Sequence, residues 1–187
     1  MATIQSELIK VDGRILFAHG IFERFQGKPD AKYSCQLTDM DDHTVRKLER
    51  TADNLVQEKW QGKIKSRKQL AQFFLHDGEE KMEHEGFKEG VPYISASNQT
   101  KPTVVDRDGR TLIDQASGRI YSGCHVRLYL NLWVQDNAQG KGINASLRGV
   151  QFLRDGDPIG GGTPLAIDDF DEADETPEET DDMEGLL

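Results

Sequence analysis

Residues 125–134 read His-Val-Arg-Leu-Tyr-Leu-Asn-Leu-Trp-Val, and this alternation is the strongest indication of the fold. The even positions are all aliphatic, whereas the odd positions are polar or aromatic. Because successive side chains of a β-strand point to opposite faces, the pattern predicts a strand with one face in a core. The opposite face carries His125, Arg127, Tyr129, Asn131 and Trp133.

This second face differs from an ordinary solvated strand face, because it has two large aromatic rings and a guanidinium but no carboxylate. An unpaired base that stacks on Tyr or Trp contributes roughly 1–3 kcal/mol whatever its identity, and Arg contacts phosphate. The face is therefore suited to single-stranded nucleic acid. The alternative is an interface in which these rings pack against a helix, another protein or a second copy of this chain.

Basic residues elsewhere extend the same chemistry. The next predicted strand, residues 143–148, places Arg148 on the same side, and Lys141 lies in the hairpin loop before it. A predicted loop over residues 101–110 adds three bases: Lys101, Arg107 and Arg110. We expect these cations to enlarge a surface that attracts phosphate.

The rest of the body predicts a small barrel. Residues 31–38 alternate as a strand, and residues 7–18 and 91–97 look extended. Turn residues are dense after residue 108, and short strands at such spacing favour a barrel over a parallel sheet.

A helical insertion over about residues 42–75 interrupts these strands. Apolar residues recur at helical spacing from Asp42 onward, with Asp41 or Asp42 as the N-cap. A second, shorter helix is predicted from Ser66, where Ser66 and Gln69 form a capping box.

The charge of the chain is divided unevenly. The net charge is −10, but residues 168–187 hold 11 of the 33 acidic residues and no base, so residues 1–167 carry 23 bases and 22 acids. We predict one domain over residues 1–159 and a flexible, disordered acidic tail over 160–187. Such a tail serves solubility, competes with nucleic acid for a basic groove, or contacts partner proteins.

Other classes of protein find little support in the sequence. It has neither the ~20 consecutive apolar residues of a membrane span nor a secretory signal, so we predict a cytoplasmic protein. Cys35 and Cys124 lie far apart, which predicts free thiols and no zinc site. There is no phosphate-binding loop or nucleophile motif, so we predict no enzyme, no cofactor and no metal.

Taken in order, several blocks of the chain resemble the phage single-stranded DNA-binding proteins that have an OB fold and an acidic C-terminal tail. The blocks are residues 31–34, 93–96, 101–106, 120–127 and 149–156. The resemblance covers nearly the whole chain.

This resemblance implies a mainly β protein: a five-stranded Greek-key OB barrel that binds the displaced strands of replicating or recombining DNA without regard for sequence. It implies a tail that occupies the DNA groove in the absence of DNA and contacts replication or recombination proteins. It also adds Lys32, Tyr93 and Tyr121 to the DNA-binding candidates. An RNA-preferring single-strand binder and a protein-interaction module, including a homodimer, are the alternatives.

Overall fold

The computed structural model describes residues 3–160 and contains one α-helix and eight strands in that range, besides short 3-10 turns. These elements are β1 (Ile9–Leu16), β2 (Tyr33–Thr38), α1 (Asp42–Trp60), β3 (Gln72–Phe73), β4 (Leu75–Asp77), β5 (Pro92–Asn98), β6 (Thr103–Val105), β7 (His125–Asn137) and β8 (Gly140–Arg154). The predicted acidic tail begins at the last described residue, and residues 161–187 lie outside the described part.

Five of the strands close into a ring. Antiparallel pairing links β8, β7, β1, β2 and β5 in that order, and β5 returns to β8 in parallel. The closing pairs are Ala96 with Ala145 and Ser97 with Ser146. This is the arrangement of an OB-like barrel, so the predicted fold class is confirmed.

The alternation in β7 separates the core from the surface, as predicted. Val126, Leu128, Leu130 and Leu132 are fully buried in the barrel. The odd positions therefore face outward, because neighbouring side chains of a strand lie on opposite sides of the sheet. We call this side of β7 and its neighbouring strands the outer face.

Helix α1 begins where the sequence predicted. The Asp41 carboxylate accepts a hydrogen bond from the Thr44 N–H at 2.6 Å, which caps the first turn. The helix buries Leu48 and Ala52 in the main core. At its end the Trp60 Nε1–H donates to Asp136 Oδ2 at 2.9 Å, which fastens the helix to the end of β7.

The prediction of a second helix from Ser66 is wrong. The capping box at Ser66 and Gln69 is present, but it closes a single 3-10 turn over Arg67–Gln69. The chain then pairs β3 with β8 and β4 with β5, while Phe74 is buried in the core. These pairings satisfy the backbone along two sheet edges, so the helical part of the insertion ends at Trp60 rather than near residue 75.

Candidate nucleic-acid interface

The outer face is organised in rows across β1, β7 and β8. Tyr129 lies between Lys10 and Gly149, and Arg127 lies between Asp12 and Gln151. The other edge of β8 is shared in succession by β3, β5 and β6. Two grooves open on this face.

The first, which we call the Trp133 groove, has a volume of about 470 Å³. Its floor is formed by β5, β7 and β8, and the segment 72–76 forms a wall. The lining residues are Lys32, Gln72, Phe73, Phe74, His76, Ser95, Ser97, Asn98, Gln99, Trp133, Gln135, Asn144, Ala145 and Ser146. The groove thus joins aromatic rings, a lysine and many neutral polar groups, and none of these lining residues is acidic.

The aromatic groups of the Trp133 groove are held in place by neighbours. The Arg67 guanidinium lies 4.7 Å from the Phe73 ring centroid. His76 stacks on Tyr93 at 5.0 Å, and its Nδ1 lies 3.1 Å from Glu80 Oε2. Such support reduces the entropy lost when a flat ligand stacks on the rings.

The second groove, which we call the Tyr129 groove, has a volume of about 510 Å³. Its lining residues are Gln5, Leu8, Thr103, Val105, Tyr129, Asn131, Arg148, Gly149 and Val150, and none of them is acidic. The Tyr129 hydroxyl donates to Gln151 Oε1 at 2.9 Å, and Lys10 Nζ lies 5.7 Å from the ring centroid.

A β-bulge in β8 places Arg148 in the lining of the Tyr129 groove. Tyr129 pairs with Gly149 and Leu130 with Leu147, so Arg148 has no partner on β7. Its Nη1 donates to Asn131 Oδ1 at 3.2 Å. Because that partner is neutral, Arg148 keeps its charge available for an anion.

Arg127 and His125 also lie on the outer face, but their settings differ. Arg127 makes two hydrogen bonds to the Asp12 carboxylate, at 2.7 and 3.0 Å, and these bonds raise its pKa. Burial, followed by the positive charges of Arg154 and Arg14, lowers the pKa of His125. Neither side chain offers an unpaired positive charge at neutral pH.

The loop bases flank this surface. Lys101 is exposed just before β6, whose Thr103 and Val105 line the Tyr129 groove. Arg107 and Arg110 are exposed in the following turn, where the Asp108 carboxylate accepts from the Arg110 N–H at 2.9 Å. The Arg107 carbonyl accepts from Gln151 Nε2 at 3.1 Å, which ties this turn to the residue that also bonds the Tyr129 hydroxyl.

Lys141 and Tyr121 line neither groove. Lys141 belongs to β8 rather than to the hairpin loop, and its Nζ lies 5.9 Å from the Trp60 ring centroid. It pairs with Asp136, an even position of β7, so the expectation that Lys141 extends the outer face is wrong. The Tyr121 hydroxyl bonds to Asp155 Oδ1 and the Gly156 carbonyl, beside a different cleft.

Tyr93 also needs correction, since it is only 1% exposed. Its ring packs edge-on against Phe87 at 4.8 Å and under His76, and burial raises its pKa. A base cannot reach this ring without displacing its neighbours, so Tyr93 supports the Trp133 groove from below.

Comparison with known proteins identifies the family to which this chain belongs. A family model described as "Enterobacter phage Enc34, ssDNA-binding protein" matches residues 8–183. The chain belongs to this family. A putative protein, p50, of Acyrthosiphon pisum secondary endosymbiont phage 1 is 47% identical over 100 residues. That match covers 54% of this chain and about half, 52%, of the relative.

Solved structures agree with the family. The single-stranded DNA-binding protein of bacteriophage Enc34 in complex with ssDNA is 26% identical, with a TM-score of 0.68. The match covers 82% of this chain and 89% of that one. A C-terminal truncation of the Enc34 protein, 23% identical with a TM-score of 0.66, covers 84% and 98% respectively and shows the same fold.

Sequence reasoning missed the wall of the Trp133 groove. The sequence predicts a helix that includes Phe73 and gives His76 no DNA-binding role. The alternation of Ser95 and Ser97 with buried Ile94 and Ala96 indicated a polar outer side of β5 that could have located the groove floor.

Two further observations bear on chemistry at this surface. Cys35 and Cys124 are free but buried, and burial raises the pKa of the Cys35 thiol to about 12. Within residues 3–160, no three His, Cys, Asp or Glu side chains are grouped so as to hold a metal ion. In the same range, no helix has the length and apolar character to cross a membrane.

Proposed function

We propose that this protein binds single-stranded DNA, irrespective of sequence, along the Trp133 and Tyr129 grooves. The observation that carries the proposal is the composition of their linings: among the described residues, these contain aromatic rings, amides, hydroxyls and two cations, but no acidic residue. A nucleic-acid strand needs stacking surfaces for its bases and must not meet carboxylates near its phosphates.

The position of the Trp133 groove supports the proposal. OB barrels bind oligonucleotides on the face of their second and third strands and on the loops between strands one and two and strands four and five. Here β2 and β5 are the second and third strands of the ring. Lys32 ends the loop between the first two ring strands, and the groove extends over β5 toward the β7–β8 hairpin.

Each group has a role in this proposal. Trp133 and Phe73 stack on bases, while Lys32 and Arg148 contact phosphates. The serine and asparagine side chains of β5 and β8 bond to whichever polar edge is presented, which suits binding without sequence preference. The exposed basic side chains of Lys101, Arg107 and Arg110 attract the DNA strand toward the Tyr129 groove.

The relatives support a biological setting. The Enc34 protein, which was solved in complex with ssDNA, belongs to a phage. We infer that this protein protects and organises single strands during phage DNA replication or recombination, in the host cytoplasm. In this proposal the acidic tail contacts replication or recombination proteins and competes with DNA for the grooves.

The tail's role has its own test. Removing residues 168–187 takes away eleven carboxylates, so the shortened protein should bind DNA more tightly at about 50 mM salt. Equal affinity would leave the tail a role in partner contact or solubility only.

Fluorescence anisotropy tests the function itself. Labelled thirty-base oligonucleotides, single-stranded DNA, duplex DNA and RNA, are titrated with protein at two salt concentrations. We expect binding to the DNA single strand that weakens with salt, with a log–log slope of about −0.7 per phosphate neutralised. Binding that does not weaken with salt, or no binding even without the tail, would favour the protein-interaction alternative. Tighter binding to RNA than to DNA would show that the ligand is RNA.

A further inference from the structure

A cleft of about 760 Å³ lies apart from the DNA-binding grooves and shares no lining residue with either. Four segments line it: the end of β1 and the chain after it, residues 84–85, the chain before β7 and the last described residues. Its large apolar members are Phe17, Phe22, Ile120 and Ile159. With these apolar groups and the acidic Glu85 in its lining, the cleft is suited to an apolar side chain rather than to a phosphate.

The backbone presents Phe17 to this cleft. Phe17 has φ 54° and ψ 45°, in the left-handed region that a bulky residue rarely occupies, and it is 37% exposed. The next N–H, of Ala18, donates to Ser122 Oγ at 3.1 Å, which links two walls of the cleft. A conformation with this cost persists where surrounding contacts hold it, and here it keeps an aromatic ring at the surface.

The chain itself runs along the cleft wall. The Ile159 N–H donates to the Ser122 carbonyl at 2.8 Å, and the Gly160 N–H donates to Glu85 Oε2 at 3.1 Å. Gly160 is also a lining residue. Gly160, the last described residue, therefore lies at the wall of the cleft.

The sequence that follows has the matching character. Residues 163–167 read Thr-Pro-Leu-Ala-Ile and carry no charge, whereas residues 168–187 hold eleven carboxylates. Leu165 is five residues from Gly160, so even a fully extended chain keeps it within about 18 Å. A tether this short gives an effective concentration in the millimolar range or above, which favours docking of even a weak apolar segment.

We propose that Leu165 and Ile167 insert into this cleft and fasten the root of the acidic tail to the barrel. The segment buries apolar surface that the cleft and the segment would otherwise expose to water. The first carboxylates of the tail, from Asp168 onward, then start beside a cleft that is separate from both grooves. The inference does not depend on DNA binding.

Hydrogen–deuterium exchange on the full-length chain tests the inference. The test variant combines Leu165→Ser with Ile167→Ser, and the matched control combines Leu186→Ser with Leu187→Ser at the end of the same tail. Peptides over residues 17–22 and 115–122 report on the cleft, and a peptide over residues 42–60 reports on α1.

We expect exchange in both cleft peptides to become roughly threefold faster or more in the test variant, because a docked segment opposes local opening. The control variant and the α1 peptide should match the wild-type protein. Unchanged cleft exchange in the test variant would overturn the inference. So would equal acceleration in the control variant, which would assign the cleft to the terminal leucines, or acceleration that extends to α1, which would indicate a general loss of stability.

Discussion

Two halves of the outer face use the same strand, β7, but differ in how their charges are paired. Within residues 3–160, the linings around Trp133 and Tyr129 contain no acid, and Arg148 bonds only to the neutral Asn131. Around Arg127 the guanidinium is bonded twice to Asp12. An arginine on a strand face is therefore no evidence of a phosphate site by itself. Its existing partner decides whether the charge is available.

The largest effect on DNA affinity should come from Trp133, which lies in the half of the outer face where no acid lines the groove. Trp133→Ala should weaken single-strand affinity by roughly 1–3 kcal/mol, about 5- to 150-fold, because it removes a base-stacking surface. Leu112→Ala, which truncates a 73% exposed apolar residue outside the lining of either groove, is the control. Anisotropy titrations that give equal affinities for the two variants would move the stacking site elsewhere.

The two arginines provide the most direct comparison between the halves. Arg148→Ala should lower affinity several-fold and reduce the log–log salt slope by about 0.7, because one phosphate contact is lost. The double variant Arg127→Ala with Asp12→Ala removes the whole ion pair and leaves the net charge unchanged, so it should change neither quantity by a comparable amount. Equal losses in the two variants would contradict the distinction.

Breaking the ion pair between Arg127 and Asp12 should produce a smaller change, a gain in affinity for DNA. Asp12→Asn keeps the size of the side chain but removes its charge, so Arg127 becomes available and the salt slope should steepen by up to about 0.7. Asp53→Asn, an exposed position on α1, removes the same charge away from the outer face and serves as the control. A gain that is the same in both variants would reflect net charge alone.

The smallest effect concerns pH and stability. The pKa of His125 is lowered by burial and by Arg154 and Arg14, so the unfolded chain binds its proton more readily. His125 therefore disfavours folding as the pH falls below about 6.5, the ordinary histidine pKa. His125→Gln should show a smaller drop in Tm between pH 7.5 and pH 5.5 (about the range over which histidine titrates) than the wild-type protein does. An equal drop would show that other groups set the pH dependence.

The features that sequence predicted best depend on local rules. The alternation of β7 and the Asp41 cap each depend on side chains a few residues apart, so their periodicity and chemistry can be read directly. The closed barrel followed from the number and spacing of short strands. The same reasoning identified Trp133, Tyr129 and Arg148 as residues of one face.

The features that sequence missed depend on distant pairings. Strands β3 and β4 have two and three residues and form only because β8 and β5 offer free edges, so Phe73 and His76 could not be placed on a groove wall beforehand. The ion pair of Arg127 joins residues 115 positions apart. Local sequence patterns do not predict such a partner. The sequence therefore gives Arg127 and Arg148 the same predicted role in binding phosphate.

The two tryptophans allow the central claim to be measured directly. Trp133 lines the groove, whereas Trp60 is 5% exposed and bonded to Asp136 at the end of α1. A Trp60→Phe variant leaves Trp133 as the only tryptophan, and a Trp133→Phe variant leaves only Trp60; each is titrated with single-stranded DNA while tryptophan emission is followed. We predict saturable quenching in the first variant and little change in the second, because of the two tryptophans only Trp133 lies in the groove where we propose that bases stack. Emission from Trp133 that does not respond to DNA, under conditions where anisotropy shows full binding, would contradict the assignment of the Trp133 groove as the DNA-binding site.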